Sequence, residues 1–196
     1  MPHSPMQTPS VKKKRISPWS LVAFAGVVLL LVLIAMRLFK SDSMALSLGG
    51  QPKDFTLTTF DGEVIHTADL RGQVVLINFW ASWCGTCDEE TNLLEQAWRS
   101  FQAEGDEEVV FLGVAYMDTE PASQSYLSDH GVTFPNGPDL RGAISRIYQV
   151  NSVPETFILD ADGVLRYLKI GPFSSLDEIQ AAVEQVLAQP VDEQKR

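Results

Sequence analysis

Cys84 and Cys87 are the residues of this 196-residue sequence with the clearest chemical potential, and no other cysteine is present. Two residues separate them, a spacing that lets two thiols close and reopen a disulfide. A closed zinc site needs four ligands, and the histidines are scattered at His3, His66 and His130. The pattern therefore predicts a redox pair, with no metal and no cofactor beyond the pair itself. The alternatives are two buried structural thiols, or half of a zinc site shared between two chains.

The elements around the pair favour a reactive Cys84. The continuous apolar run at 74–80 predicts a strand buried on both faces, and apolar residues at helical spacing follow the cysteines. Backbone amides and the dipole of that helix would then stabilise a thiolate on Cys84. We expect Cys84 to attack the substrate disulfide as the nucleophile, and Cys87 to resolve the mixed disulfide. Trp83, from its position alone, is expected to shield one side of the site.

The N-terminal segment predicts a membrane anchor. Residues 16–36 carry no charge and form an almost wholly apolar run that is long enough to cross a bilayer as a helix. The basic residues 12–15 precede it. By the positive-inside rule, residues 1–15 are cytoplasmic, a transmembrane helix covers 16–40, and the rest of the chain is extracytoplasmic. A signal peptide cleaved after Ser-Met-Ala at 43–45 is the alternative.

The rest of the chain predicts a linker over 41–46, one globular domain over 47–190 and a frayed tail over 191–196. A hairpin is expected over 55–66. Further strands are predicted over 74–80, 109–116, 155–160 and 164–170, and helices over 121–129, 140–148 and 176–187. This order indicates an α/β fold with a mixed central sheet and helices on both faces. The formal net charge of −10 argues against a nucleic-acid partner, because phosphate binding needs clustered Lys and Arg.

Residues 78–90, Asn-Phe-Trp-Ala-Ser-Trp-Cys-Gly-Thr-Cys-Asp-Glu-Glu, resemble the active-site run of the TlpA/ResA/CcmG group of thioredoxin-like reductases, within the redoxin (AhpC/TSA) superfamily. The N-terminal strand at 51–57 and the run Val-Pro-Glu-Thr-Phe at 153–157 also match this group, and the resemblance covers about 47–188. It implies a three-layer thioredoxin-like fold with an N-terminal hairpin and a central helical insertion at about 118–140. It also implies a membrane-anchored thiol–disulfide oxidoreductase.

The resemblance adds residues to the site. Pro154 is expected to follow a cis peptide bond and to lie against the sulfurs, with the backbone of Val153 pairing with the substrate. An ordinary trans turn is the alternative. The resolving cysteine needs a base, and the resemblance implies Asp118 and Glu155 as candidates, because Asn78 replaces the buried Asp of ordinary thioredoxins. The other roles considered are a helix N-cap for Asp118 and a solvated strand residue for Glu155.

Two departures from the group affect the expected redox potential. Gly85 and Thr86 separate the cysteines, and Thr86 stands where proline is common, which changes the amides that face Cys84. Asp88 stands where a basic residue is frequent, and a negative charge beside the site opposes a thiolate. These are not the surroundings expected of a strongly reducing thioredoxin, so an oxidoreductase is expected, with reduction as the favoured direction only.

The favoured function is reduction of disulfides in exported proteins, for instance in apocytochrome c during cytochrome c maturation, with a membrane electron donor to restore the dithiol. A peroxiredoxin-like peroxidase is one alternative, although residues 79–83 lack the Pro and Thr that usually precede a peroxidatic cysteine. A copper(I) carrier is the other alternative, because two thiolates suit this soft ion, with His130 as the remote further ligand.

Overall fold

The computed structural model describes Trp19, Phe24 and residues 26–32, 46–103, 105 and 108–189. The chain divides into two compact units, Met1–Met44 and Ala45–Arg196. In the first unit, the described residues are helical and exposed.

Most of the predicted anchor at 16–40 and of the predicted linker at 41–46, and the whole predicted tail at 191–196, lie outside the described residues. Among the residues that are described, no helix is both long and apolar enough to cross a membrane.

The second unit alternates strands and helices around one main sheet. Its described elements are β1 (Thr56–Thr58), β2 (Val64–His66), a 3-10 helix (Thr67–Leu70), β3 (Val74–Trp80), α1 (Cys87–Ala103), β4 (Val109–Tyr116), α2 (Glu120–His130), β5 (Asn136–Asp139), α3 (Ala143–Tyr148), β6 (Glu155–Leu159), β7 (Leu165–Ile170) and α4 (Leu176–Leu187). β1 and β2 form the predicted antiparallel hairpin. The main sheet has the order β5-β4-β3-β6-β7, with β3, β4 and β5 parallel and β6 antiparallel to both of its neighbours.

The central strand β3 is buried along its whole length, as its apolar run predicts. Successive side chains of a strand point to opposite faces of the sheet. Leu76 packs in one cluster with Leu94 of α1 and Ile179 of α4. Ile77, the next residue, belongs to a second cluster with Leu57 of β1 and residues of α3. The result is a mixed sheet between two layers of other elements, which is the predicted three-layer architecture.

The edge strand β5 is not indicated by the sequence. Its residues are Asn-Gly-Pro-Asp, a composition typical of a turn. The strand forms because Pro138 is tolerated at a sheet edge and because Gly137 has no side chain. A Cβ at Gly137 would lie 2.5 Å from the carbonyl oxygen of Thr58, so glycine lets β5 approach the hairpin.

The helix predicted over 140–148 begins later, at Ala143. The carboxylate of Asp139 accepts hydrogen bonds from the backbone N–H groups of Ala143 and Ser145, at 2.7 and 2.8 Å. This side chain satisfies the free N–H groups at the start of α3 and fixes where the helix begins.

Candidate active site

Cys84 and Cys87 are joined by a disulfide, with their Cα atoms 5.3 Å apart. Cys87 is the first residue of α1, and Cys84 lies in the turn that follows β3. The backbone N–H of Cys87 donates to the Sγ of Cys84 at 3.2 Å. Because the N-terminal end of a helix favours negative charge, this contact would stabilise a Cys84 thiolate after reduction. Cys84 is 6% exposed and Cys87 is fully buried, so Cys84 is the sulfur that a substrate can reach.

Thr86 contributes a second donor to this sulfur. Its Oγ1 lies 3.5 Å from the Sγ of Cys84. A disulfide sulfur carries no hydrogen, so the hydroxyl group is the donor, and the same contact can serve a thiolate. A proline at this position would have no hydroxyl to offer.

Trp83 and Gly85 lie on the solvent side of the pair. The side chain of Trp83, expected to shield the site, is 59% exposed and is therefore available for contact with a partner. Gly85 has open space where a Cβ would stand.

The peptide bond between Val153 and Pro154 is cis, as predicted. The carbonyl oxygen of Val153 lies 3.5 Å from the Sγ of Cys84. The structure thus brings this loop against the sulfur.

Glu155 holds the loop that precedes Pro154. It is buried, and its Oε1 accepts hydrogen bonds from the backbone N–H groups of Asn151 and Ser152, at 3.3 and 3.1 Å. The interpretation of Glu155 as a solvated strand residue is therefore wrong. These contacts assign the carboxylate to the shape of the loop.

Asp118 holds the loop that precedes Cys84. Its Oδ2 accepts hydrogen bonds from the backbone N–H of Ser82 at 2.7 Å and from the hydroxyl of Ser123 at 2.9 Å. Burial acts to raise the pKa of Asp118, but the hydrogen bonds from Ser82, Ser123 and Thr119 together lower it below its usual value. A carboxyl group whose ionised form is favoured is a weak base, so this environment favours a positioning role over proton transfer.

Glu90 is an acid of the site that sequence reasoning missed. It lies one helical turn after Cys87 on α1 and is almost fully buried. Its Oε1 accepts from the Nδ2 of Asn78 at 2.8 Å, and its Oε2 accepts from the backbone N–H of Phe173 at 2.9 Å. Burial nevertheless raises the pKa of Glu90 to about 7. A carboxyl group with such a pKa can accept and return protons near neutral pH, which suits a proton carrier better than Asp118 does.

Four exposed apolar side chains lie at the end of the sheet from which the turn of Cys84 leaves β3, and we call Trp83, Met117, Leu140 and Ile170 the apolar rim. Each is more than half exposed. Trp83, Met117 and Leu140 follow the carboxyl ends of the parallel strands β3, β4 and β5, and Ile170 ends β7. All four therefore lie at the same end of the strands of the sheet. An apolar surface of this kind beside a reactive sulfur fits contact with a polypeptide.

Within the described residues, no group of three or more His, Cys, Asp or Glu side chains is placed to hold a metal ion. His130, the remote ligand of the copper alternative, contacts Tyr126 and Asp88.

Known proteins are similar to this chain in sequence and in fold. The model of the AhpC/TSA family matches residues 48–168. The thioredoxin-like protein YneN of Bacillus subtilis is 31% identical over 136 residues, which cover 68% of this chain and 77% of YneN. The thiol–disulfide oxidoreductase ResA of Geobacillus thermodenitrificans is 28% identical over 156 residues, which cover 77% of this chain and 88% of ResA. The crystal structure of a secreted Mycobacterium tuberculosis disulfide oxidoreductase superposes with a TM-score of 0.59 and 29% identity, over 67% of this chain and 95% of that one.

Proposed function

Since this chain belongs to the AhpC/TSA family and is a thiol–disulfide oxidoreductase, we propose that it reduces disulfides of exported polypeptides through Cys84 and Cys87. The observation that carries the proposal is the surroundings of Cys84. Its sulfur receives the N–H of Cys87 at 3.2 Å, and the carbonyl of Val153 lies 3.5 Å away. The first contact would stabilise a reactive thiolate on Cys84. The second places the backbone of the Val153 loop beside the same sulfur, where it can pair with a bound peptide.

In the proposed reaction, the Cys84 thiolate attacks one sulfur of the substrate disulfide, and the other substrate sulfur leaves as a thiolate that takes up a proton. Cys87 then attacks Cys84 in the mixed disulfide, which closes the intramolecular disulfide and releases the second substrate thiol. Two electrons pass to the substrate, and a dithiol donor must return them. We assign the proton of Cys87 to Glu90, while Asp118 and Glu155 hold the loops on either side of Cys84.

The charge beside the pair supports reduction as the direction. Asp88 and Glu89 lie in the first turn of α1. Negative charge at this end of the helix opposes a Cys84 thiolate, so the dithiol form is less stable and gives up its electrons more readily. The apolar rim supports a polypeptide as the electron acceptor, because a small peroxide would gain nothing from it.

The place of action is also part of the proposal. We assign residues 16–40 to a membrane anchor, with the domain on the extracytoplasmic side and a membrane electron donor to restore the dithiol. The uncharged run at 16–36 and the basic residues 12–15 support this topology. The similar protein from Mycobacterium tuberculosis is a secreted one, which supports export. An apocytochrome c with an oxidised CxxCH motif is the substrate that we propose to test first.

The decisive experiment mixes the reduced full-length protein with an oxidised CxxCH peptide. We expect the peptide to be reduced, Cys84→Ser to abolish the reaction, and Cys87→Ser to accumulate a mixed disulfide between Cys84 and the peptide that mass spectrometry detects. An unchanged rate in Cys84→Ser would contradict the proposal. Hydrogen peroxide replaces the peptide in a parallel reaction, and its rapid consumption would favour the peroxidase instead. A redox titration of the pair tests the direction, because a midpoint close to those of oxidising proteins would overturn the reductase.

A further inference from the structure

His130 connects the central insertion to the helix turn that carries Cys87. It is the last residue of α2, and its Nε2 lies 3.9 Å from the Oδ1 of Asp88, the residue directly after Cys87. The imidazole also packs on the ring of Tyr126, with the ring centroids 4.2 Å apart. About three quarters of the His130 side chain is buried, since 23% of it is exposed.

The hydrogen bond of His130 determines which of its ring nitrogens carries the hydrogen in the neutral form. Its Nδ1 lies 2.9 Å from the carbonyl oxygen of Tyr126. A carbonyl oxygen can only accept, so Nδ1 carries the hydrogen, and Nε2 is the nitrogen that gains or loses a proton. Imidazoles change charge between about pH 5 and 8. Protonation of Nε2 therefore places a positive charge opposite Asp88 while the bond of Nδ1 remains.

Tyr126 fixes the end of α2 against the turn of Cys87. The hydroxyl of Thr91 donates to the carbonyl oxygen of Cys87 at 2.8 Å, so the hydroxyl of Tyr126 is the donor in its 2.7 Å contact with Thr91. Burial raises the pKa of Tyr126, which keeps this hydroxyl protonated. Tyr126 also stacks on Trp80, with the ring centroids 4.9 Å apart. Through Tyr126, the last turn of α2, which ends at His130, is thus joined to the helical turn of Cys87.

Other charged groups of the two helices have contacts of their own. Arg99 of α1 donates to the carboxylate of Glu95 at 2.6 Å and to the carbonyl oxygen of Gly131 at 3.4 Å. The carboxylate of Asp129 accepts from the hydroxyl of Ser125. Asp88, which also interacts with the hydroxyl of Tyr126, is therefore the acid that faces the Nε2 of His130.

We propose that His130 is a positioning residue for the reaction of Cys84 and Cys87, and that its protonation offsets the charge of Asp88 and favours the dithiol. The inference rests on the proposed cycling of the pair. A dithiol donor passes two electrons to the disulfide and closes its own disulfide, while Cys84 is released as a thiolate and Cys87 takes up a proton. Asp88 opposes that thiolate, and protonated His130 counteracts Asp88. By linkage, reduction of the pair and protonation of His130 then favour each other.

The test is the equilibrium constant for reduction of the pair by dithiothreitol, measured in the full-length protein from about pH 5.5 to 8.5. Gln can still donate to the carbonyl of Tyr126 but carries no charge, so His130→Gln should lower this constant about 2- to 5-fold at the acidic end and leave it unchanged at the basic end. Arg keeps its positive charge over the whole range, so the equilibrium constant of His130→Arg should stay at the value that the wild type has at the acidic end. His66→Gln is the matched control, because this exposed histidine lies in the hairpin and bonds to Thr56, and it should follow the wild type throughout.

The outcomes separate the inference from the function on which it rests. If dithiothreitol could not reduce the disulfide of Cys84 and Cys87 reversibly with two electrons, the proposed function would be overturned. A pair that titrates with the same pH dependence in the wild type and in His130→Gln would overturn the role of His130 alone. In an Asp88→Asn background, the effect of His130→Gln should shrink, and an undiminished effect would show that His130 does not act through Asp88. If His130→Gln fails to fold, the comparison of His130→Arg with the wild type at the basic end decides the question.

Discussion

Asn78 and Glu90 form a buried hydrogen bond of 2.8 Å that joins the central strand β3 to the first turn of α1. The same Nδ2 of Asn78 also contacts the Oγ1 of Thr156 on β6 at 3.0 Å. The buried acid of this site thus stands on the helix of the resolving cysteine, and the strand supplies a neutral partner. Because Asn78 cannot lose a proton, the titration of the buried pair belongs to Glu90 alone.

Glu90 should make the protein less stable as the pH rises. Its pKa is about 7 in the folded protein and 4.5 when it is not buried, so the folded state retains a proton that the unfolded state releases. This stabilising contribution is complete below pH 4.5 and is lost as the pH rises through 7. Over this pH range, the ionisation of Glu90 should lower the free energy of unfolding of the wild type by about 3 kcal/mol, and Glu90→Gln should not show this decrease. Guanidinium denaturation of the oxidised protein at about pH 4.5 and 8 measures it.

Glu89→Gln provides the control for this prediction. Glu89 precedes Glu90 in the same helical turn but is exposed. Its replacement should leave the pH dependence of the wild type in place. If the free energy of unfolding of Glu90→Gln changed with pH as much as that of the wild type, the assignment of the titration to Glu90 would fail.

The hydroxyl of Thr86 should raise the redox potential of the pair. It lies 3.5 Å from the sulfur of Cys84 and can donate to a thiolate, which exists only in the reduced state. Thr86→Val keeps the branched shape but loses the donor, at a cost to the reduced state of about 1 kcal/mol, or about 20 mV toward more negative potential. Equilibration with dithiothreitol measures this shift. Thr86→Ser retains the hydroxyl and should keep the wild-type potential, and a shift of equal size in both variants would contradict the role of the donor.

The sequence predicts the parts of the fold that depend on local pattern. The buried run of β3 is recognisable from its sequence alone, and so is the serine before α4, where Ser175 accepts the N–H of Glu178. β5 has no such signature. Its Asn-Gly-Pro-Asp sequence forms a strand because Gly137 fits against the carbonyl of Thr58, a contact between segments far apart in the chain.

The candidate site shows the same division. The pairing of Cys84 and Cys87 follows from their spacing, and the cis bond before Pro154 is implied by the family resemblance; the structure contains both. Glu90 is placed on the face of Cys87 by helical spacing, which the sequence contains. Its burial, however, depends on the loop of Phe173, which lies 83 residues further along the chain. The pKa of an acid follows its surroundings, so the residue type alone did not separate Glu90 from Asp118.

Asp118 should stabilise the loop before Cys84 without carrying its proton. Asp118→Ala leaves the backbone N–H of Ser82 and the hydroxyl of Ser123 without their acceptor, which should lower the free energy of unfolding by about 2–3 kcal/mol. Because the pKa of Asp118 is lowered, its contribution is present above pH 3.8 and is lost as the pH falls through the folded pKa. Denaturation near neutral pH measures the effect.

Asp118→Asn separates the two possible roles of this residue. Asn keeps one acceptor oxygen, so it should recover part of the stability that Ala loses. Neither variant should displace the pH profile for reduction of a peptide disulfide, since the proton of Cys87 is assigned to Glu90. A displaced profile in Asp118→Asn would return the acid–base role to Asp118.

We expect the side chain of Met117 to contact the substrate, although the backbone conformation of this residue lowers the stability of the protein. It is a residue of the apolar rim, and its φ of 47° lies in the left-handed region that favours glycine. Met117→Gly should raise the free energy of unfolding by about 0.5–1 kcal/mol. Because it also removes an exposed apolar side chain, it should lower kcat/KM for a polypeptide disulfide about 3- to 10-fold and leave the rate with glutathione disulfide unchanged.

Gln149, with a φ of 56° at the end of α3, is the matched control. Gln149→Gly should gain similar stability with no change in either rate, and an equal loss with both disulfides in Met117→Gly would refute the contact.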